Sequence, residues 1–142
     1  MKLEKMEELI KNGLTLEEAF QTINWQDFEK VVAEIFEKHG FKSTINFVFK
    51  TEKKYQIDVL AERGELIVLV DCKQWGKHRY KVSELKKAAL RHKERCEEFK
   101  KIVEDGRKLI PLIVTLLDEC VYQFEGVYIV PLFKLNSFLL EI

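Results

Sequence analysis

Two apolar runs joined by a short polar turn constrain the fold of this chain most. The first, Ile57 to Ala61, is interrupted by Asp58, and the second, Leu66 to Val70, ends directly before Asp71-Cys72-Lys73. The second run contains no polar residue, which predicts a strand covered on both faces. Side chains alternate along a strand, so Asp71 and Lys73 should share one face and Cys72 the other. We therefore expect ionisable groups where two strands of one hairpin leave the core.

Charged groups at the end of a buried strand need a partner, because burial of an unpaired charge is costly. Two explanations fit Asp71 and Lys73: a metal-dependent nuclease centre that includes Asp58, or an ordinary ion pair at the strand end. The same acid-x-Lys spacing recurs in polar turns or helical patterns, where a solvated ion pair explains it: Glu52/Lys54, Glu84/Lys86 and Glu98/Lys100. The spacing alone leaves both explanations open.

Asp58, followed thirteen residues later by Asp71-x-Lys73, resembles the PD-(D/E)xK signature of the restriction-endonuclease-like superfamily. Upstream, residues 28–36 (FEKVVAEIF) followed by His39-Gly40-Phe41 are similar to the first helix of Mrr-type restriction endonucleases and archaeal Holliday-junction resolvases. Downstream, three short segments also resemble the Mrr branch: KVSEL at 81–85, PLIVT at 111–115 and VPL at 130–132. The resemblance extends from about Asn24 to the C-terminus.

The resemblance implies an α/β protein with a restriction-endonuclease-like core in the order αβββαβ, in which helices flank a central mixed sheet. It also implies a catalytic group of four residues: Glu29, Asp58, Asp71 and Lys73. Glu29, Asp58, Asp71 and the backbone carbonyl of Cys72 would hold Mg²⁺ or Mn²⁺. Mrr-type enzymes usually have Gln or Glu where Asp71 stands, and Gly-x-Asp where this chain has Gln56-Ile57-Asp58. An Asp at position 71 still ligates a metal, so this departure is compatible with activity.

The activity that the resemblance implies is hydrolysis of DNA phosphodiester bonds by a Mg²⁺-dependent endodeoxyribonuclease, acting on duplex or branched DNA. The alternative is a catalytically inactive nuclease-fold module for nucleic-acid binding or assembly. The four implied site residues favour the enzyme, because an inactive protein has no physical reason to keep buried charges.

The remaining patterns predict a single nuclease-like domain, 1–142, with a helical extension at 1–23 and a nuclease core at 24–142. At 142 residues and 46% hydrophobic, the chain is long enough to bury one core. In the extension, Thr15 and Glu18 form a capping box. This segment either covers the core or pairs with a second subunit in a homodimer. Asn24 or its neighbour should cap the next helix, whose apolar face consists of Phe28, Val31, Val32, Ile35 and Phe36.

Further elements follow from turn and capping signals. We expect a strand at 43–49, a long helix from Ser83 to about Glu104, buried strands at 109–117 and 127–130, and a closing helix at 132–140. Strands followed by a helix and further strands predict a mixed sheet between helices. His39, beside the helix-ending Gly40, is expected to be a C-cap.

Charge is distributed unevenly in a chain of zero net charge. From Lys77 to Lys101 there are ten Lys or Arg against four Glu, whereas residues 1–40 contain five Lys against nine acids. This asymmetry predicts a basic face, at which the following residues contact DNA: Lys77, Arg79, Lys81, Lys86 and Lys87. Alternatively, part of the run forms ion pairs with the glutamates of a solvated helix.

The cysteines and histidines do not indicate a further site. Cys72, Cys96 and Cys120 form no CxxC pair, so buried free thiols are predicted instead of a zinc site or a disulfide. His78 and His92 have basic and polar neighbours and are expected to face solvent or phosphate. No apolar run is long enough to span a membrane, and the N-terminus lacks the apolar segment of a signal peptide, so a cytoplasmic protein without a membrane partner is expected.

Overall fold

The computed structural model describes residues 24–73 and 82–142, together with positions 8, 11–13, 15 and 18. In chain order the elements are helix α1 (Trp25–Lys38), strands β1 (Lys42–Lys50), β2 (Lys54–Arg63) and β3 (Leu66–Lys73), helix α2 (Val82–Ile102), strands β4 (Lys108–Thr115), β5 (Gln123–Phe124) and β6 (Val127–Pro131), a 3₁₀ turn (Leu132–Lys134) and helix α3 (Leu135–Leu140). The predicted order αβββαβ is confirmed. The two-residue strand β5 is an addition that is too short to leave a sequence pattern.

Among the described residues, six strands form one mixed sheet in the order β1-β2-β3-β4-β6-β5. Strands β1, β2 and β3 form an antiparallel meander, whereas β4 runs parallel to both β3 and β6. The parallel pairing of β3 and β4 requires a crossover connection, and α2 lies within it. As a result, the C-terminal ends of β3, β4 and β6 meet at one edge of the sheet, with Lys73 beside Thr115 and Thr115 beside Pro131.

Helices cover both faces of the sheet, which explains why β3 and β4 are apolar on both sides. Helices α1 and α3 pack on one face, and every member of the predicted α1 stripe is buried there: Phe28, Val31, Val32, Ile35 and Phe36. Helix α2 packs on the other face. Cys72 belongs to the apolar cluster that packs against α1 (the α1 cluster), and Leu69 belongs to the one that packs against α2 (the α2 cluster). The predicted alternation along β3 is therefore confirmed. No helix within the described ranges is both long and apolar enough to cross a membrane.

Capping interactions occur where the sequence predicted them. The Oδ1 atom of Asn24 accepts a hydrogen bond of 3.0 Å from the Asp27 N–H at the start of α1, and His39 is the C-cap of the same helix. Thr15 and Glu18 exchange hydrogen bonds of 3.2 and 3.1 Å between backbone N–H and side-chain oxygen, which confirms the capping box. The rest of the predicted N-terminal extension lies almost wholly outside the described residues.

Two expectations about single residues are wrong. Cys72 and Cys96 are buried as predicted, but Cys120 is exposed in a turn, where its N–H donates to Asp118 Oδ1 at 2.8 Å. His92 does not face solvent, because its exposed fraction is 0%. Position 92 continues the buried stripe of α2, which consists of Leu85, Ala88, Ala89, Cys96 and Phe99. Its basic neighbours in the sequence lie on other sides of the helix. His78 lies outside the described residues.

Candidate active site

The hydrogen-bonded ladder between β2 and β3 stops directly before the predicted site. Val59 and Val70 are the last paired residues, so Asp58 and Asp71 are not cross-strand partners. Instead, the Cys72 N–H donates to Asp58 Oδ2 at 2.9 Å. The N–H and C=O groups of one strand residue point the same way. The Cys72 carbonyl therefore faces the gap that opens between the two strands.

Strand β1 is interrupted at the same level. Asn46 and Asp58 do not pair, although the residues on both sides of them are in register. Asn46 has φ of 56°, a left-handed conformation that Asn tolerates better than most residues. Ile57 packs in the α2 cluster and Val59 in the α1 cluster, so the alternation of side chains changes phase at Asp58. Asp58 therefore lies at a break in the sheet and not inside either apolar cluster.

Helix α1 brings a third carboxylate to this break. Glu29 is buried, and its pKa is raised by burial and by the negative charge of Asp71. The charge of Glu29 in turn contributes to the raised pKa of Asp58. Because charge interactions weaken with distance, these mutual effects indicate that the three acids lie near one another. We refer to Glu29, Asp58 and Asp71 as the carboxylate cluster.

The two aspartates differ in their protonation. Burial and then the negative charge of Asp71 raise the pKa of Asp58 to about 7, and protonated Asp58 donates a hydrogen bond to Asp71. Burial alone would also raise the pKa of Asp71. The positive charges of His92 (when it is protonated), Lys73 and Arg95 outweigh burial and lower it. Asp71 is therefore the ionised member of the pair, and Asp58 holds a proton in part of the molecules at neutral pH.

Two cations contact Asp71 from different elements. Lys73 Nζ lies 3.1 Å from Asp71 Oδ2, and Arg95 Nη1 lies 3.8 Å from Asp71 Oδ1. The strand-end ion pair that the sequence left open is therefore present, but it is part of the carboxylate cluster and not a substitute for it. Arg95 and its neighbour His92 were missed by sequence reasoning. The signal that could have found them was the position of His92 on the buried stripe of α2, with Arg95 one turn later.

The carboxylate cluster offers the type of ligand atom that a divalent cation such as Mg²⁺ prefers. Mg²⁺ and Mn²⁺ prefer oxygen donors, which the three acids and the Cys72 carbonyl supply. Asp58 shares a proton with Asp71, and a cation could take the place of that positive charge. In the part of the chain that the structure describes, no three Asp, Glu, His or Cys side chains already have the arrangement of a metal site. Binding would therefore require side-chain movement.

Residues 20–103 match the family model of the Mrr catalytic domain, which is described as restriction endonuclease. This chain belongs to that restriction endonuclease family. The matched range includes α1, the β2–β3 hairpin and α2, the elements that carry the carboxylate cluster and its two cations. The predicted resemblance to Mrr-type restriction endonucleases is confirmed.

An uncharacterized protein of Archaeoglobus fulgidus is 39% identical to this chain over 118 residues, which cover 82% of this chain and 90% of the relative. Among solved structures, AF1548, a protein of unknown function, is similar with a TM-score of 0.53 and 24% identity over 73% of this chain. The match covers 57% of AF1548, so this chain spans little more than half of that protein.

A second solved structure carries the restriction endonuclease fold. The small subunit of the heterodimeric restriction endonuclease R.BspD6I is similar with a TM-score of 0.56 and 15% identity, over 99% of this chain and 76% of the subunit. At this identity the likeness shows the fold alone. It confirms the predicted α/β architecture of a restriction endonuclease.

The predicted DNA-contacting residues of this restriction endonuclease family member are seen only in part. Lys86 and Lys87 are exposed on α2, and the Lys86 ammonium lies 5.2 Å from the centre of the Phe124 ring. Lys77, Arg79 and Lys81 lie outside the described residues. Of the predicted basic face, the structure therefore describes only the residues on α2.

Proposed function

We propose that this protein is a metal-dependent endonuclease that hydrolyses phosphodiester bonds of duplex or branched DNA. The observation that supports this most strongly is the convergence of Glu29, Asp58 and Asp71 from three separate elements at the point where β2 and β3 part. Two of these acids have raised pKa values, because burial and mutual repulsion disfavour their charged forms. An arrangement of this kind destabilises the free protein and is relieved by a bound cation.

In this proposal Glu29, Asp58, Asp71 and the Cys72 carbonyl hold Mg²⁺ or Mn²⁺. The bound ion would polarise the phosphate and stabilise the charge that develops on its oxygens. Lys73, which contacts Asp71 at 3.1 Å, holds the attacking water, and its positive charge favours the hydroxide form. The water loses a proton to solvent, and its oxygen bonds to phosphorus. One ester P–O bond then breaks, and the departing oxygen takes up a proton, which yields a phosphomonoester and a hydroxyl end.

The experiment that tests the activity is nicking of supercoiled plasmid in the presence of Mg²⁺ or Mn²⁺, compared with linear and branched DNA. We expect conversion of the plasmid to the open-circular form with either ion and none in EDTA. Ca²⁺ should support binding but little cleavage. The relative rates on plasmid, linear duplex and branched DNA would define the substrate. Absence of cleavage with both ions on all three substrates would contradict the endonuclease proposal.

The Lys and Arg side chains between Lys77 and Lys101 should supply most of the affinity for DNA, since contacts to phosphates provide most of the binding energy. We expect that Lys77→Ala, Arg79→Ala and Lys81→Ala together weaken duplex binding and reduce the slope of log affinity against log salt by about 0.9 for each lost contact. Lys86→Ala and Lys87→Ala should act in the same direction. Fluorescence anisotropy at several salt concentrations measures this slope. An unchanged slope would place the DNA-binding surface elsewhere.

A nuclease-fold module that binds nucleic acid without cleaving it is the second candidate. The observation that favours it is that Asp71 is already neutralised by Lys73 and Arg95. Binding of DNA with normal salt dependence, with no cleavage under any metal condition, would select this candidate. A homodimer formed through the N-terminal extension is compatible with either candidate, and sedimentation equilibrium would test it.

A further inference from the structure

Arg95 reaches the carboxylate cluster from the face of the sheet opposite to α1. Its guanidinium lies 3.8 Å from Asp71 Oδ1, whereas Lys73 contacts the other oxygen of the same carboxylate. The Arg95 side chain is 23% exposed, so part of it is accessible to solvent. Asp71 is thus held between two cations, of which only Lys73 belongs to the family signature.

The orientation of Arg95 is fixed by a completely buried imidazole. His92 Nε2 lies 2.8 Å from the carbonyl oxygen of Leu69. A carbonyl can only accept, so Nε2 carries the hydrogen and Nδ1 is the acceptor. Arg95 Nη1 lies 2.9 Å from this Nδ1 and donates to it. Burial also lowers the pKa of His92 to about 4, which agrees with a neutral ring. Both ring nitrogens are therefore used, and His92 has no free group for proton transfer.

These contacts connect Arg95 rigidly to the strand that carries Asp71. His92 is anchored to Leu69 of β3, two residues before Asp71, and Arg95 follows His92 by one turn of α2. Only Nη1 of the guanidinium is engaged by other described residues. No described residue contacts its remaining N–H groups, and a guanidinium carries five donors in a planar fork that suits phosphate oxygens.

We propose that Arg95 is a phosphate-binding residue of this site, which donates to a non-bridging oxygen of the scissile phosphodiester, and that His92 is its positioning residue. The assignment rests on the proposed endonuclease function. In the free protein, Arg95 compensates the charge of Asp71. If Asp71 binds a divalent cation, Arg95 would stay in place because His92 holds it. The phosphate would then supply the negative charge that Arg95 contacts.

The test compares Arg95→Gln and Arg95→Lys with the parent on a short DNA duplex. Cleavage is measured with Mg²⁺, duplex binding with Ca²⁺, and Mn²⁺ binding without DNA. For Arg95→Gln we expect cleavage to fall about 100-fold, as for loss of one donor to a developing charge. The salt slope of duplex binding should fall by about 0.9, which corresponds to one phosphate contact. Mn²⁺ should bind as well as before or more tightly, because a cation beside Asp71 has been removed. Arg95→Lys should recover part of the loss.

Arg107→Gln is the matched control, since it removes the same charge beside the turn between β2 and β3, at the other end of the hairpin. It should cleave like the parent. If Arg95→Gln cleaves like Arg107→Gln, or if it loses Mn²⁺ binding, the assignment is wrong. If the parent cleaves no DNA but Arg95→Gln still lowers the salt slope, the endonuclease proposal fails and the phosphate contact stands. If the parent cleaves DNA and Arg95→Gln cleaves equally well, the phosphate contact fails and the endonuclease proposal stands.

Two substitutions separate the contacts of His92. Gln can place an amide N–H where Nε2 donates to the Leu69 carbonyl but has no acceptor at the position of Nδ1, whereas Asn can place its Oδ1 near that position but does not reach the Leu69 carbonyl. We expect His92→Gln to lower cleavage about tenfold and His92→Asn to lower it less. In the Arg95→Gln background, His92→Gln should lower cleavage no further, because the effects of substitutions at coupled residues do not add. Equal losses in both backgrounds would show a structural role only and would overturn the positioning role.

Discussion

The two ends of the β2–β3 hairpin differ in how folding changes the pKa values of the carboxylates there. At the closed end, beside the turn between the strands, Arg107 lies 2.8 Å from Glu62 and 2.6 Å from Asp105. A hydrogen bond from the Arg107 N–H, together with the guanidinium, lowers the pKa of Asp105. At the open end the strands part, and burial and mutual repulsion raise the pKa values of Glu29 and Asp58.

This difference indicates which end serves stability and which serves another purpose. A carboxylate whose pKa falls on folding stabilises the native state at neutral pH, and one whose pKa rises destabilises it. The closed end therefore contributes to folding, whereas at the open end the raised pKa values of Glu29 and Asp58 oppose it at neutral pH. The destabilisation at the open end is explained if the carboxylate cluster binds a cation, and variants of the two ends can test this explanation.

The largest expected effect is on cleavage. Asp71→Asn should slow plasmid nicking by at least about 1000-fold, because metal-assisted charge stabilisation contributes several kcal/mol to the barrier. Glu62→Gln, which removes a carboxylate from the closed end of the same hairpin, should nick at the parental rate. Initial rates of open-circle formation measure both. Parental nicking by Asp71→Asn would show that the open end is not the reaction centre.

A smaller effect is expected on stability in the presence of metal. Mn²⁺ at about ten times its dissociation constant should raise the free energy of unfolding by about 1.4 kcal/mol. Asp71→Asn should abolish this increase, and Glu62→Gln should retain it. Urea unfolding with Mn²⁺ and with EDTA measures the difference. If several millimolar Mn²⁺ leaves the parent's free energy of unfolding unchanged, cation binding does not explain the destabilisation at the open end.

A third effect concerns the pH dependence of the metal-free protein. The folded pKa of Asp58, about 7, lies above its ordinary value of 3.8, so the folded state holds the proton more tightly and stability falls as pH rises between these values. Asn resembles protonated Asp: it can donate to Asp71 and accept from Cys72. In EDTA at pH 8, Asp58→Asn should therefore be more stable than the parent by about 1 kcal/mol. The two should converge below pH 4, and urea unfolding across this range tests both statements. A less stable variant at pH 8 would contradict the raised pKa.

The smallest effect is expected at the closed end. Arg107→Gln should lower the melting temperature by at most a few degrees, because ion pairs that are partly open to solvent contribute little. Lys108→Gln is its matched control, since the neighbouring Lys108 side chain makes no ion pair among the described residues. Neither substitution should alter nicking. Loss of nicking in Arg107→Gln alone would show that the two ends are coupled, and the comparison between them would have to be abandoned.

The fold was predictable because its signals are local. The apolar runs of β3 and β4 indicate strands covered on both faces, and Asn24 marks the start of α1, so element types and order follow from short stretches of sequence. Strand β5 was not predicted, since a two-residue strand has no periodicity. The failure at Cys120 has a related cause: burial depends on the turn that follows Asp118, and sequence composition does not record it.

For the site, the sequence by itself determined which acids stand at the ends of which elements: Glu29 on α1, Asp58 on β2, and Asp71 with Lys73 on β3. Only the tertiary structure decided how these groups are balanced. The hairpin opens at the level of the interruption opposite Asn46, and the second cation of Asp71 comes from α2, where it contacts the buried His92. Spacing along the chain encodes alternation within one strand or helix. Protonation depends instead on burial and on charges from other elements, which exist together only after the sheet and its helices have packed.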